Sequence, residues 1–267
     1  TLFAFAGNSV LNRMALAGEL IGPDTFAAAR LVSGAIALAV IASIAHRGFG
    51  WLGQGSIVGA VSLAVYAVGF SFAYVDVDAG LGALLLFGVV QVSMFAAALM
   101  ARQETISVSR WIGTGVALLG LVVLLLPGAS APSPLYAGLM IVAAVAWAFY
   151  TLAGKGARDP LGSTAANLLY AAPAGVIVWL LTPASLPATP PGLGLALLSG
   201  VVTSGLGYAL WYVVLPQLRT TTAALAQLTV PIIAALGGVM LLGESLTLVF
   251  VVSAALVLFG VGLSLRR

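Results

Sequence analysis

Residues 79–100 read AGLGALLLFGVVQVSMFAAALM, an apolar run without a charged side chain. The hydrocarbon of a bilayer is about 30 Å thick, and an α-helix crosses it in roughly 20 residues. A membrane-spanning strand would instead be shorter and would alternate apolar with polar residues. The run therefore predicts a membrane-spanning α-helix.

The same pattern extends over the whole chain. Of its 267 residues, 62% are hydrophobic and 6% are charged, and the mean hydropathy is +1.18. A soluble domain carries roughly a quarter charged residues, which excludes an ordinary soluble fold. Breaks at glycine, proline and charged residues predict an all-α membrane protein of ten transmembrane helices. We place them at residues 2–18, 24–45, 54–74, 79–100, 109–126, 134–154, 163–181, 191–215, 220–242 and 247–265.

Composition also narrows the classes of partner. The chain has no cysteine, which excludes disulfides, thiol catalysis and thiolate metal sites. Its net charge of +3 is spread too thinly for a nucleic-acid partner. We expect no metal and no cofactor, and partners limited to the lipid bilayer and a small-molecule substrate. The chain begins at Thr1 rather than at Met, so we expect further residues before it.

The distribution of basic residues predicts the orientation, because lysine and arginine in short loops mark the cytoplasmic side. If the N-terminus is cytoplasmic, the inner loops and the C-terminal tail contain Arg47, Arg102, Arg110, Lys155, Arg158, Arg219, Arg266 and Arg267. The charged residues of the outer loops are then all acidic, namely Glu19, Asp24, Asp76, Asp78 and Glu244. We therefore predict that both termini are cytoplasmic.

Short motifs of the first half recur in the second half. Two sets of residues share one spacing: Gly69, Phe70 and Tyr74 in helix 3, and Gly207, Tyr208 and Tyr212 in helix 8. Glu104 follows helix 4 as Glu244 follows helix 9. The sequence predicts two five-helix repeats, residues 1–127 and 134–267. Because five is odd, the second repeat is inverted in the membrane, an arrangement that suits alternating access.

The five-plus-five layout, together with Leu-Gly-Glu-Ser-Leu at 242–246 and a last helix containing Gly260 and Gly262, resembles a known family. It is similar to the ten-helix EamA-type exporters of the drug/metabolite transporter superfamily. Within that superfamily the chain resembles bacterial inner-membrane exporters of amino acids, including aromatic ones. The resemblance implies a central cavity lined by helices 1, 3, 4, 6, 8 and 9, with helices 5 and 10 at the periphery.

Helical spacing brings polar and aromatic residues onto matching faces. The candidates for the cavity wall are Asn8, Asn12, Tyr66, Phe70, Phe87, Gln91, Trp147, Tyr150, Tyr208, Trp211 and Gln227. We expect a mostly neutral cavity, in which hydrogen-bonding groups orient a zwitterion and rings stack on its side chain. The alternative is that the amides join helices and that the rings lie in interfacial belts, where we place Tyr74 and Tyr212.

Two residues are candidates for a hinge or gate. Pro231 removes a backbone hydrogen bond within predicted helix 9, and the aligned position in helix 4 lies close to Gly88. Interruptions at matched places point toward a central site, whereas a packing kink is the alternative explanation.

Arg13 and Arg30 lie about 8 to 10 Å inside the outer ends of their helices. We expect each of them to pair with Glu19 or Asp24, and a substrate carboxylate is the alternative partner. We also expect Glu244 to cap the turn before helix 10.

These features predict a secondary transporter that exports small neutral or zwitterionic metabolites by alternating access, above all amino acids including aromatic ones. A multidrug or other metabolite carrier of the same fold is an alternative, and a passive channel is the alternative from another class. An intramembrane enzyme is not expected, because the sole histidine, His46, lies in an inner loop. The coupling ion stays open, and we expect a monomer or a weak dimer.

Overall fold

The structure is a computed structural model that describes residues 1–100, 107–125, 132–183, 186–218, 226–227 and 229–264. Within these ranges the chain forms ten main helices and no strand. The first five are α1 (Leu2–Ala17), α2 (Pro23–Ala45), α3 (Ile57–Ala73), α4 (Ala79–Met100) and α5 (Val108–Leu125). The second five are α6 (Pro134–Gly154), α7 (Pro160–Leu181), α8 (Pro190–Gln217), α9 (Thr229–Leu242) and α10 (Leu248–Ser264).

Length and composition make this a multi-pass membrane protein. Five helices, α2, α4, α6, α7 and α8, are long and apolar enough to cross a bilayer by themselves. Large apolar side chains cover the outside of the bundle, as Leu181 and Phe259 illustrate. In a soluble protein such a surface would aggregate, whereas in a bilayer it faces acyl chains. The prediction of an all-α membrane protein is confirmed.

Two helix starts differ from the predicted ones because of local capping. The Asp159 side chain accepts a hydrogen bond from the Gly162 backbone N–H at 3.0 Å, so α7 begins at Pro160, three residues before the predicted start. A 3₁₀ turn at Gly50–Gln54 precedes α3, which starts at Ile57 because Ser56 caps it.

Helix α8 is not a uniform α-helix. Pro190–Leu198 is α-helical, Ser199–Leu206 is π-helical, and Gly207–Val214 is α-helical again before a 3₁₀ turn at Leu215–Gln217. A π-helix hydrogen-bonds residues five apart, and such segments occur frequently at functional sites. The residue types of Ser199–Leu206 do not predict a π-helix.

The main helix pairs come in sets related by a shift of five helices. α2 packs on α7, α4 on α9, and α5 on α10. Each of these pairs joins a helix of the first five to the corresponding helix of the second five. The pairs α3–α6, α4–α6 and α3–α7 correspond to α1–α8, α1–α9 and α2–α8. This is the pattern expected of two repeats that pack in the same way, while the inverted relation itself stays a prediction.

Glycines allow several of these pairs to bring their backbones together. A Cβ on Gly260 of α10 would lie 2.6 Å from the Gly113 carbonyl oxygen of α5. A Cβ on Gly34 of α2 would lie 2.7 Å from the Gly200 carbonyl oxygen of α8. Small residues serve this purpose in membranes, where helix association depends on close packing.

A cluster of charges joins three helices at one end of the bundle, here named the Glu244 end. Arg13 of α1 contacts Glu244 at 3.2 Å and Asp78 at 3.0 Å. Both Glu244 carboxylate oxygens also accept the backbone N–H of Ala79, at 3.1 and 3.0 Å, and thereby cap α4. Burial raises the pKa of Glu244, the Ala79 N–H and Arg13 oppose this rise, and Asp78 adds to it. Arg13 and Glu244 are largely withdrawn from water, whereas the Asp78 side chain is 48% exposed.

This cluster corrects two predictions. Arg13 pairs with Asp78 and Glu244 instead of with Glu19 or Asp24, because the bundle brings α1 beside the ends of α3 and α9. Glu244 caps α4, not the turn before α10. Both partners are distant in sequence, so no local pattern marks them.

At the opposite end, here named the His46 end, His46 Nε2 lies 2.7 Å from Asp159 Oδ2. The hydrogen bond to the Ala42 carbonyl raises the pKa of His46, burial opposes this rise, and Asp159 raises the pKa further. This contact joins the end of α2 to the start of α7. Several basic residues of the orientation argument, Arg102, Arg219, Arg266 and Arg267, lie outside the described residues, as does Glu104.

The α5–α10 contact generates a stability test. We expect Gly260→Ala to lower the free energy of unfolding by about 1–3 kcal/mol, because its new Cβ collides with backbone atoms of α5. Gly262→Ala is the matched control, since a Cβ there has no atom within 4 Å. Thermal unfolding of the purified protein in detergent measures both, and equal stability of the two variants would contradict the packing described.

The Glu244 cluster generates a second test. Glu244→Ala removes the cap of α4 and should cost about 1–2 kcal/mol, whereas Glu244→Gln keeps an acceptor for Ala79 and should cost less. The folded state binds the Glu244 proton more tightly than the unfolded chain does. The wild-type protein should therefore gain stability relative to Glu244→Gln as the pH falls through this raised pKa.

Thermal unfolding across a pH series provides the measurement, with the exposed Glu19→Gln as the control. Equal damage from the Gln and Ala variants would contradict the capping role of Glu244.

Candidate functional site

An aromatic cluster occupies the place where α1, α3, α6 and α8 meet. The ring centroids of Trp147 and Tyr66 are 4.7 Å apart, and those of Trp147 and Tyr208 are 5.0 Å apart. Phe5 packs edge-on against Trp147 at 5.3 Å. All four side chains are buried. The four helices thus contribute one ring each to a continuous aromatic surface.

The cluster extends to both sides of these four rings. Phe87 of α4 stacks on Phe5 at 6.3 Å, and Trp211 of α8 lies 5.5 Å from Phe5. Tyr150 lies 5.3 Å from Trp147. The Trp211 Nε1 and the Tyr150 hydroxyl are buried without a hydrogen-bond partner among the described residues. Two unused donors therefore belong to the cluster.

Asn8 organises the polar groups beside these rings. Its Oδ1 accepts hydrogen bonds from Ser199 at 2.7 Å and from Thr203 at 3.1 Å. Its Nδ2 faces the hydroxyls of Tyr66 at 3.3 Å and Tyr208 at 3.5 Å. One buried amide therefore connects α1, α3 and α8. This contact is compatible with both sequence-based interpretations, a cavity wall and a polar link between helices.

Asn12 lies one turn along α1 and forms the second polar centre. Its Nδ2 donates to the Asn8 carbonyl oxygen at 2.8 Å. Its Oδ1 accepts from Ser71 at 3.1 Å and from Arg30 Nη1 at 3.4 Å. The guanidinium of Arg30 lies over the rings of Tyr66 and Phe70, at 5.6 and 5.1 Å from their centroids. The sequence predicted a mostly neutral cavity with Arg30 paired to Glu19 or Asp24; in the structure Arg30 instead brings one charge from α2 to these rings and is 1% exposed.

Sequence reasoning missed three polar residues of this site, Ser71, Ser199 and Thr203. A uniform 3.6-residue period places Ser204 on the face of Tyr208, but the π-helical segment changes the register. Thr203, five residues before Tyr208, donates to Asn8 Oδ1 at 3.1 Å, and Tyr208 faces Nδ2 of the same amide at 3.5 Å. The Ser204 hydroxyl has no partner among the described residues.

The glutamines lie at the other side of the aromatic cluster. Trp147 Nε1 donates to Gln227 Oε1 at 3.3 Å, and both side chains are buried. Gln91 of α4 is also buried. Sequence reasoning placed both amides in the interior, and the structure agrees on their burial.

The proposed belt and hinge residues have different outcomes. Tyr74 and Tyr212 are fully buried and donate to the carbonyl oxygens of Ala79 and Tyr150, so their placement in an interfacial belt is wrong. Their hydroxyls find these partners only because the bundle closes over them.

Gly88 lets α4 approach α5, since a Cβ there would lie 2.7 Å from Leu121 Cδ2. Pro231 is the third residue of α9, and residues 219–225 and 228 before it lie outside the described residues. A hinge at either position stays a prediction.

Comparison with known proteins places this arrangement in a family. The sequence model of the EamA-like transporter family matches residues 135–266. An uncharacterized protein of Pseudomonas aeruginosa is 47% identical over 245 residues, which cover 92% of this chain and 85% of that protein. An uncharacterized transporter of Archaeoglobus fulgidus is 26% identical over 221 residues, which cover 79% of this chain and 76% of that protein.

A solved crystal structure shares the fold, with a TM-score of 0.68 at 19% identity over 98% of this chain and 95% of the other. The likeness therefore extends over the whole bundle, and the family model covers the last five helices, α6 to α10. A chain of apolar helices with this relationship is a membrane transporter and not an enzyme. It belongs to the EamA-like transporter family of the drug/metabolite transporter superfamily.

Proposed function

We propose that this transporter exports small neutral or zwitterionic metabolites, chiefly amino acids including aromatic ones, by alternating access. The observation that carries the proposal is the central cluster, in which rings from α1, α3, α6 and α8 surround the amides of Asn8 and Asn12. Rings offer stacking surfaces to an apolar side chain, and amides and hydroxyls orient a polar backbone.

Unused donors in the cluster support a ligand with acceptor groups. The indole N–H of Trp211 and the hydroxyl of Tyr150 have no partner among the described residues, although both are buried. A buried donor without a partner costs free energy, which a bound substrate would relieve. An aromatic amino acid combines the acceptor groups and the ring that this site matches.

The two ends of the bundle support access from one side at a time. With the orientation predicted from the basic residues, the Glu244 end faces outward and both termini are cytoplasmic, in a bacterial inner membrane. Release to the outside would then require Arg13 to separate from Asp78 and Glu244. The matched helix pairs favour a second arrangement in which the His46 end closes instead.

The role of the cluster is tested by flux through liposomes. We expect Trp147→Ala, Tyr208→Ala and Gln227→Ala to reduce efflux of phenylalanine or tryptophan by roughly tenfold. A lost ring contact, or for Gln227 a lost hydrogen bond, costs about 1–1.5 kcal/mol. Trp179→Ala is the matched control, because Trp179 is 47% exposed on the lipid-facing side of α7. Tyr208→Phe keeps the ring and separates the role of the hydroxyl.

Monodisperse purification of each variant must accompany the flux. Unchanged flux in all three cluster variants would remove the assignment of the site. Counterflow with preloaded unlabelled substrate should accelerate uptake, as it does in a carrier and not in a channel.

The orientation and the inverted relation are tested by labelling. The chain has no cysteine, so single substitutions are unambiguous. We expect Ser245→Cys, before α10, to react with an impermeant maleimide from outside intact cells. We expect Ser107→Cys, before α5, to react only after permeabilisation. Reaction of both from the same side would contradict the inverted repeat.

A further inference from the structure

Arg30 differs from Arg13, whose guanidinium pairs with Asp78 and Glu244. It lies in α2 and is 1% exposed. Its Nη1 donates one long hydrogen bond, of 3.4 Å, to Asn12, whereas its Nε and Nη2 have no partner among the described residues. These two nitrogens present adjacent N–H groups on one edge of the guanidinium.

No acidic residue in the described part of the chain forms an ion pair with Arg30. The ion pairs found there belong to Arg13 and His46. Asp24, the other buried charge of α2, lies six residues earlier, which is about 9 Å along the helix axis. The nearest compensation comes from the rings of Tyr66 and Phe70.

This compensation is incomplete. An arginine stays protonated in proteins, so it does not escape burial by losing its charge. Burying an ion costs several kcal/mol, while each cation–π contact returns about 0.5–2 kcal/mol. The open edge of Arg30 therefore has a strong preference for an anion.

We propose that Nε and Nη2 of Arg30 bind the carboxylate of the transported molecule through two parallel hydrogen bonds. This inference rests on the proposed function in taking the centre of the bundle as the substrate site. The substrate class becomes monocarboxylates with an apolar or aromatic side chain, for which the rings of Tyr66 and Phe70, at 5.6 and 5.1 Å from the guanidinium carbon, supply apolar surface. Lipophilic cations are disfavoured, because Arg30 repels them.

A carboxylate fits better than other anions. The planar fork of a guanidinium matches the two oxygens of a carboxylate. A phosphate dianion would call for further cations, yet Arg13 already contacts Asp78 and Glu244. The site offers one fixed positive charge beside aromatic rings, so it is complementary to a ligand with one negative charge beside an apolar group.

A matched ligand series tests this inference on the purified protein in detergent. 3-Phenylpropionate carries the carboxylate only, 2-phenylethylamine carries the amine only, and phenylalanine carries both. We expect the two carboxylates to raise the melting temperature, and the amine, inorganic phosphate and chloride at equal ionic strength to leave it unchanged.

Variants of Arg30 then test whether its guanidinium binds the carboxylate. Arg30→Gln should weaken carboxylate binding by roughly 30-fold or more, the usual effect of removing one member of a buried charged pair. Arg30→Lys keeps the charge without the fork, so we expect an intermediate loss. Arg158→Gln removes an equal charge from an exposed position and should bind like the wild type.

The outcomes separate the two proposals. A shift by 2-phenylethylamine, phosphate or chloride as large as that by 3-phenylpropionate, or no shift by either carboxylate, overturns the role of Arg30. If Arg30→Gln does not fold, the wild-type series and Arg30→Lys decide. Carboxylate binding that depends on Arg30 without flux of phenylalanine in liposomes would contradict amino-acid export and leave the binding site standing.

Discussion

Hydrocarbon offers no partner to a polar group, so each buried donor and acceptor of this bundle has to find one inside the protein. This constraint explains why Asn8 collects Ser199 and Thr203 around one oxygen. It also explains why Arg13 reaches two acids on other helices. Arg30, unlike Arg13, satisfies the constraint only in part, because two of its nitrogens have no partner among the described residues. The unmet requirement is the physical basis for the proposed carboxylate site.

Close helix packing sets the second condition for transport. Gly34 and Gly260 allow backbone atoms of paired helices to touch, and these contacts favour rigid helix pairs. The cluster at the Glu244 end, in contrast, consists of long side chains whose ion pairs can break while the helices stay intact. A bundle of rigid pairs joined by such contacts at its ends is suited to rocking about its centre. The π-helical segment of α8 lies at that centre, beside Asn8.

The sequence predicted several of the buried side chains but not which of them contact one another. Trp147 and Tyr208 were expected in the interior from their helical spacing, and their rings are 5.0 Å apart. In α8, Thr203 rather than Ser204 bonds to Asn8, and nothing in the residue types of the π-helical segment signals it. Tyr74 was assigned to an interfacial belt because it lies near a helix end, a position that does not reveal the cover provided by other helices.

The sequence by itself determined the membrane class, the helix count, most helix boundaries and the family. Apolar length, charge position and capping residues are local properties, and the bilayer converts them directly into spanning helices. Only the tertiary structure decided which side chains meet: that Glu244 caps α4, and that Arg30 turns inward over Tyr66 and Phe70. Pairing of this kind depends on distances between helices far apart in the chain. Packing sets those distances, and no single helix encodes them.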